Sequence, residues 1–203
     1  MKRLWNNKGM KRLVLASGSE GRRMVLSQAG FDFSICPSNF VEDLDSESDP
    51  YKLVSKLSAG KAKAVAGKFK NAVIIGADTV VFCNGKILGK PKTKAEAKKM
   101  LRFLSGTTHL MITGLTVIDC DSKKIITKTS VTKIFFHQLA TEEIDEYVET
   151  NEPMTKAGGY AIQGKGGEFV DKIVGEYSGA LGLPLKLLKQ ILSEFKITLT
   201  MPY

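Results

Sequence analysis

A chain of 203 residues with 43% hydrophobic and 25% charged side chains has the material for a core and a water-facing surface. No apolar run approaches the roughly 20 residues that cross a bilayer, and three widely spaced cysteines (Cys36, Cys83, Cys120) without a C-x-x-C pair argue against a disulfide framework or a zinc site. The net charge of +9 favours a phosphate-bearing partner, whether nucleotide, nucleic acid or membrane surface.

Residues 1–9 are basic and lack the apolar segment of a signal peptide. They read as an N-terminal extension to a single domain over residues 10–200, with Met10 as an alternative start and the cytoplasm as the expected location. Leu13-Val14-Leu15-Ala16 is a short strand, and the turn Ser17-Gly18-Ser19 leads into a helix closed by Gly30. Residues 31–35 alternate as a strand, residues 42–49 are an acidic loop, and residues 51–68 read as a helix. The apolar run from Ala72 to Phe82 is a buried strand, and Asn84-Gly85 marks a hairpin to Ile87-Leu88. Thr93-Lys94-Ala95-Glu96 is a capping box for a helix to Gly106. Two long strands, near 108–119 and 124–137, precede a helix capped by Thr141. Residues 151–168 are glycine-rich, a strand follows near 169–174, Pro184 opens a last helix to about Phe195, and residues 197–199 return as a strand. Strands alternating with helices, plus a hairpin pair, predict an α/β fold with a mixed sheet.

Asp78 is a carboxylate in an otherwise apolar strand. It must recover its lost hydration from a cation, a metal or hydrogen-bond donors; a turn or local backbone bonds at a strand end are the plainer alternative. Lys90, in Gly89-Lys90-Pro91, is one available cation. Ser17-Gly18-Ser19-Glu20-Gly21-Arg22-Arg23 sits at a strand-to-helix junction, where amides, hydroxyls and guanidinium groups suit an anion. Taken alone, a serine cap with solvent-facing arginines is the plainer reading there, and the spacing is not that of a P-loop. Lys61 and Glu42, taken singly, read as solvated residues. Lys156, the following glycines and Gln163 suit recognition of a base or triphosphate, or else form a structural loop. His109 and His137 are lone strand histidines, and Ser178-Gly179-Ala180 is no nucleophile elbow.

Several short segments occur together in one order: Leu15-Ala16-Ser17-Gly18-Ser19, Gly76-Ala77-Asp78-Thr79, Gly89-Lys90-Pro91, Leu104-Ser105-Gly106 and Thr113-Gly114. Glu152-Pro153-Met154, Lys156-Ala157-Gly158, Ile162-Gln163-Gly164 and Gly182-Leu183-Pro184-Leu185 continue it. Together they span roughly residues 12–196, and the chain resembles the Maf family of nucleoside triphosphate pyrophosphatases. The resemblance implies two lobes around a central nucleotide cleft, built on a mixed twisted sheet flanked by helices. It further implies hydrolysis of a nucleoside triphosphate to monophosphate and pyrophosphate, a divalent metal, and a homodimeric cytoplasmic house-cleaning enzyme. Asp78, Glu42, Lys61 and Lys90 fall on the family's catalytic positions. Ser17, Ser19, Arg22, Arg23, Thr79, Lys156 and Gln163 are the expected substrate contacts. Glu42 and Asp78 are the expected metal ligands, and carboxylates suit Mg2+ or Mn2+ better than zinc.

One departure bears on specificity. The family reads S-x-S-P-R-R, and here Glu20 replaces the proline and Gly21 the first arginine. That position is implicated in choosing the base, arginine going with dTTP and UTP and tryptophan with 7-methyl-GTP. Gly21 is neither, while Thr79 and Gln163 match the dTTP/UTP branch; Gly21, Thr79 and Gln163 are therefore the specificity positions, with Arg23 able to reach round in place of the missing arginine. The rival readings are a pyrophosphatase for 7-methyl-GTP, ITP or XTP, and a non-enzymatic nucleic-acid-binding or division-regulating protein. Nucleic acid is the less expected partner, because aromatics are not interleaved with the lysines.

Overall fold

Residues 11–195 are described by the computed structural model; the N-terminal extension and the strand expected at 197–199 lie outside them. Strand β1 (Arg12–Leu15) is apolar on both faces, as a strand inside a sheet must be. It runs parallel to the short β2 (Ser34–Ile35) and to the long β3 (Ala72–Cys83). Parallel neighbours need crossovers, which helices α1 (Glu20–Gln28) and α2 (Pro50–Ala66) provide. Pro50 occupies the first turn of α2, and the Asp49 carboxylate accepts from the Tyr51 and Lys52 amides at 2.8 and 3.3 Å. The strand expected over 31–35 shrinks to two residues. The Phe31 amide instead closes α1 by donating to Leu26, and Phe31 and Phe33 pack on the core from a loop.

The Asn84-Gly85 turn has both residues at positive φ, the geometry a two-residue hairpin requires, and it joins β3 to β4 (Lys86–Leu88). Helix α3 (Lys94–Leu104) begins as expected, with the Thr93 hydroxyl accepting from the Glu96 amide at 3.1 Å. The other half of that capping box differs: the Glu96 carboxylate accepts from Lys92 rather than Thr93. Long antiparallel strands β5 (Thr108–Asp119) and β6 (Ile125–Phe136) follow, then α4 (Thr141–Glu149). Thr141 is the first residue of α4 and not its cap. The chain turns at Ala140, whose amide donates to Glu143 at 2.7 Å. The glycine-rich segment winds through short 3-10 turns into β7 (Val170–Val174), α5 (Tyr177–Ala180) and α6 (Leu185–Glu194).

The seven-stranded sheet has the order β2-β1-β3-β5-β6-β7, with β4 beside β3. One edge of β3 is paired along its length by β5, whereas β1 covers only Ala72–Ile75 of the other edge and β4 only its far end. Residues 76–80 therefore have no strand beside them on that edge. Helices flank both faces, and the core divides in step with the long strands. At the β1 end, α1 and α6 pack around Leu15, Ile75 and Leu115; at the β4 end, α3 and α4 pack around Val81, Leu101 and Tyr147. The mixed sheet with a packed group at each end matches the expected architecture, and Asp78 sits between the two groups.

Candidate active site

Successive strand residues face opposite sides of a sheet. Ile74 and Val80 pack beneath α2, so Gly76 and Asp78 face α2 as well. The approach is close: a Cβ on Gly76 would lie 2.5 Å from the Ser58 carbonyl, and one on Gly114, opposite Asp78 on β5, 2.2 Å from that of Val54. Only glycine lets α2 lie this near, and α2 thereby delivers Lys61 to Asp78. Lys61 is 8% exposed and Asp78 4%. The Lys61 ammonium pairs with Asp78 and with Glu42, 2.8 Å from the latter, so it is no solvated surface lysine.

The two carboxyls are driven apart. Burial pushes Asp78 above its ordinary value, against the attraction of Lys61 and Arg22. Burial also acts to raise Glu42, but its hydrogen bond to Lys61 and the charges of Lys61, Lys90 and Arg22 outweigh it and hold Glu42 below the usual range. One carboxylate is thus the better proton acceptor and the other stays ionised, a division that suits acid–base work.

On the opposite face, Thr79 meets α1. The Arg22 guanidinium is buried, donating from Nε to Gly182 O (2.9 Å), from Nη1 to Ser17 Oγ (3.1 Å) and from Nη2 to Thr79 Oγ1 (3.3 Å). Its acceptors are all uncharged; Asp78 and Glu42 act on it only through space, and burial lowers its pKa. A buried cation held by neutral groups retains its attraction for an anion. Ser19 stands at the cap position of α1, yet its side chain makes no capping bond. Arg23 is exposed and pairs with Glu20 at 3.5 Å.

The glycine-rich segment closes the far wall. The Gly158 amide donates to Gly89 O at 2.9 Å and so ties the loop of Lys156 to the loop of Lys90. A cavity of about 1350 Å³ results, and it is lined by every expected catalytic, substrate-contact and specificity position: Ser17, Ser19, Gly21, Arg22, Arg23, Glu42, Lys61, Asp78, Thr79, Lys90, Lys156 and Gln163. Thr113 was missed. It is buried, 2.9 Å from the Thr79 hydroxyl, and it also reaches the Gly179 carbonyl. Its only sequence signal was its place beside Gly114.

The family model for Maf-like proteins matches residues 12–195. The chain belongs to the Maf family. Curated relatives named dTTP/UTP pyrophosphatase include one from Methanosarcina barkeri, 44% identical over 94% of this chain and 97% of the relative. Another, from Bacillus anthracis, is 44% identical over 94% and 99%, and one from Pelotomaculum thermopropionicum is 45% identical over 92% and 97%. The Maf match takes in every cavity residue just described. The departure at Gly21 remains within it: a Cβ there would lie 3.2 Å from the Leu181 carbonyl, so the first turn of α1 abuts that loop.

Proposed function

We propose that the protein hydrolyses nucleoside triphosphates, foremost dTTP and UTP, to the monophosphate and pyrophosphate. The observation that carries this reading is one cavity holding an ammonium shared by two carboxylates on one sheet face and a buried, neutrally bonded guanidinium on the other. Nearly full-length similarity to relatives bearing that enzyme's name supports the substrate class.

In this reading Asp78 accepts the proton of the water that attacks the α-phosphorus, aided by its raised basicity. Lys61, Lys90 and Arg22 offset the charge of the triphosphate and of the leaving pyrophosphate, so positioning and electrostatics supply most of the rate. Glu42 stays ionised and holds Lys61 in place. Glu42 and Asp78 converge on one centre of positive charge, and their hard oxygens fit Mg2+ or Mn2+. An ion held there would withdraw charge from the phosphate and acidify a water. A homodimer is carried over from the family resemblance. A cytoplasmic location is supported by free thiols at Cys36, Cys83 and Cys120, and no helix of the described residues is long and apolar enough to cross a membrane.

Pyrophosphate release measured over dTTP, UTP, ITP, XTP and 7-methyl-GTP, with Mg2+ or Mn2+, tests the proposal. The pyrimidine triphosphates should lead. A preference for ITP or 7-methyl-GTP would move the specificity elsewhere, and salt-sensitive nucleic-acid binding without pyrophosphate release would overturn the enzyme.

A further inference from the structure

Gln163 is carried on an irregular stretch, residues 160–166, that belongs to no strand or long helix, so something else must fix its position. Two side chains outside the cavity do so. The hydroxyl of Tyr147, a buried residue of α4, accepts from the Ala161 amide at 3.0 Å and donates to Glu152 Oε1 at 2.8 Å. Glu152 Oε1 also accepts from the Gly166 amide at 3.2 Å, and Oε2 from the Lys165 amide at 3.3 Å. The chain is thus gripped on both sides of Gln163. The fit leaves no slack: a Cβ on Gly164 would lie 2.4 Å from both carboxylate oxygens, and one on Gly166 would lie 2.6 Å from the Tyr147 hydroxyl. Backbone donors and one phenol hold the Glu152 carboxylate, the arrangement that gives charge-assisted hydrogen bonds their strength.

We infer that Glu152, oriented by Tyr147, is a positioning residue that sets Gln163 for recognition of the nucleobase without itself touching substrate. The inference rests on Gln163 being a substrate contact in the proposed function. Removing the clamp should let residues 161–166 wander and weaken base recognition, leaving the chemistry at Asp78 on its separate strand.

The test uses Glu152→Gln, Glu152→Ala, Tyr147→Phe, Gln163→Ala and the Glu152→Ala/Gln163→Ala double variant. Glu152→Ala and Gln163→Ala should each raise KM for UTP roughly tenfold and change kcat less than about threefold. The double variant should be no worse than Gln163→Ala alone, because both changes remove one interaction. Glu152→Gln keeps the shape and one carbonyl acceptor but presents an amide NH2 to a backbone donor, so it should fold and show an intermediate KM. Hydrogen exchange at the Ala161, Lys165 and Gly166 amides, read without substrate, should rise about tenfold or more in Glu152→Gln. Unchanged exchange, multiplicative KM effects in the double variant, or a fall in kcat at constant KM overturns the positioning role alone. A wild-type protein that releases pyrophosphate from no triphosphate overturns the function instead.

Discussion

Asp78 and Thr79 are adjacent in β3 and serve opposite faces of the sheet: Asp78 pairs with Lys61 from α2, and Thr79 accepts from Arg22 of α1. The period-two alternation of one strand thereby brings two helices to a single point. The α2 side holds groups suited to proton transfer, and the α1 side holds groups suited to gripping an anion. The two sides should respond differently to substitution.

Asp78→Asn removes the proton acceptor and keeps the side chain's shape. Turnover should fall on the order of a thousandfold or more. Lys61 keeps Glu42 as its partner, so the thermal midpoint should stay within a few degrees of wild type. Pyrophosphate release and a melting curve on the same preparation check both halves; near-wild-type turnover would sink the role.

Arg22→Lys retains the charge and loses the geometry. A lysine has no planar fork with which to meet Gly182, Ser17 and Thr79 together. KM for triphosphate should rise about tenfold or more, and an unpaired buried carbonyl should cost roughly 1–3 kcal/mol of stability. Steady-state kinetics with a urea titration separates the two effects. An Arg22→Lys enzyme with unaltered KM would leave the guanidinium purely structural.

Gly114→Ala tests the close approach of α2. The added methyl would meet the Val54 carbonyl at 2.2 Å, and the helix must shift to admit it. Roughly 1–3 kcal/mol of stability should be lost. Activity should fall further than stability explains, because Lys61 moves off Asp78. A comparison with a surface variant of equal instability makes the distinction.

His109 predicts an acid weakness. It is 1% exposed, its Nε2 lies 2.7 Å from the Tyr160 hydroxyl, and burial lowers its pKa from 6.5 to about 4. The unfolded chain therefore takes up a proton first as pH falls. Stability is complete above about 6.5 and declines until about 4, by about 3 kcal/mol over that window. The facing aromatics are Tyr160, neutral there, and Phe136. Asp78 opposes the trend, since its raised pKa means that protonation relieves the fold. Urea midpoints at several pH values should show a shallower acid loss for His109→Gln than for wild type.

Much of this architecture is written in local patterns. The Asn84-Gly85 hairpin and the Thr93 cap each depend on residues within a few positions of one another, and each formed where expected, as did the two long strands. Lys61 shows the limit. Nothing in Gly60-Lys61-Ala62 indicates burial, because its surroundings come from Asp78 and from the glycines beneath α2. Arg22 and Arg23 look interchangeable in sequence, yet a helix turns roughly 100° per residue, and that rotation buries one and exposes the other. Residues 31–35 misled in the other direction: only Ser34 and Ile35 join a ladder, and the alternation before them reflects two phenylalanines packing from a loop. Glu152 was visible only as part of a motif, since its partners at 147, 165 and 166 gather by folding alone.

The uncovered edge of β3 at residues 76–80 also limits how the chain can change. Two more paired residues on β1, or a longer β3–β4 hairpin, would add ladder bonds and by that measure improve the fold. They would also pave over the doorway through which Asp78 and Thr79 are reached. Lengthening the short strands on either side is therefore the stabilising change this protein is least able to accept.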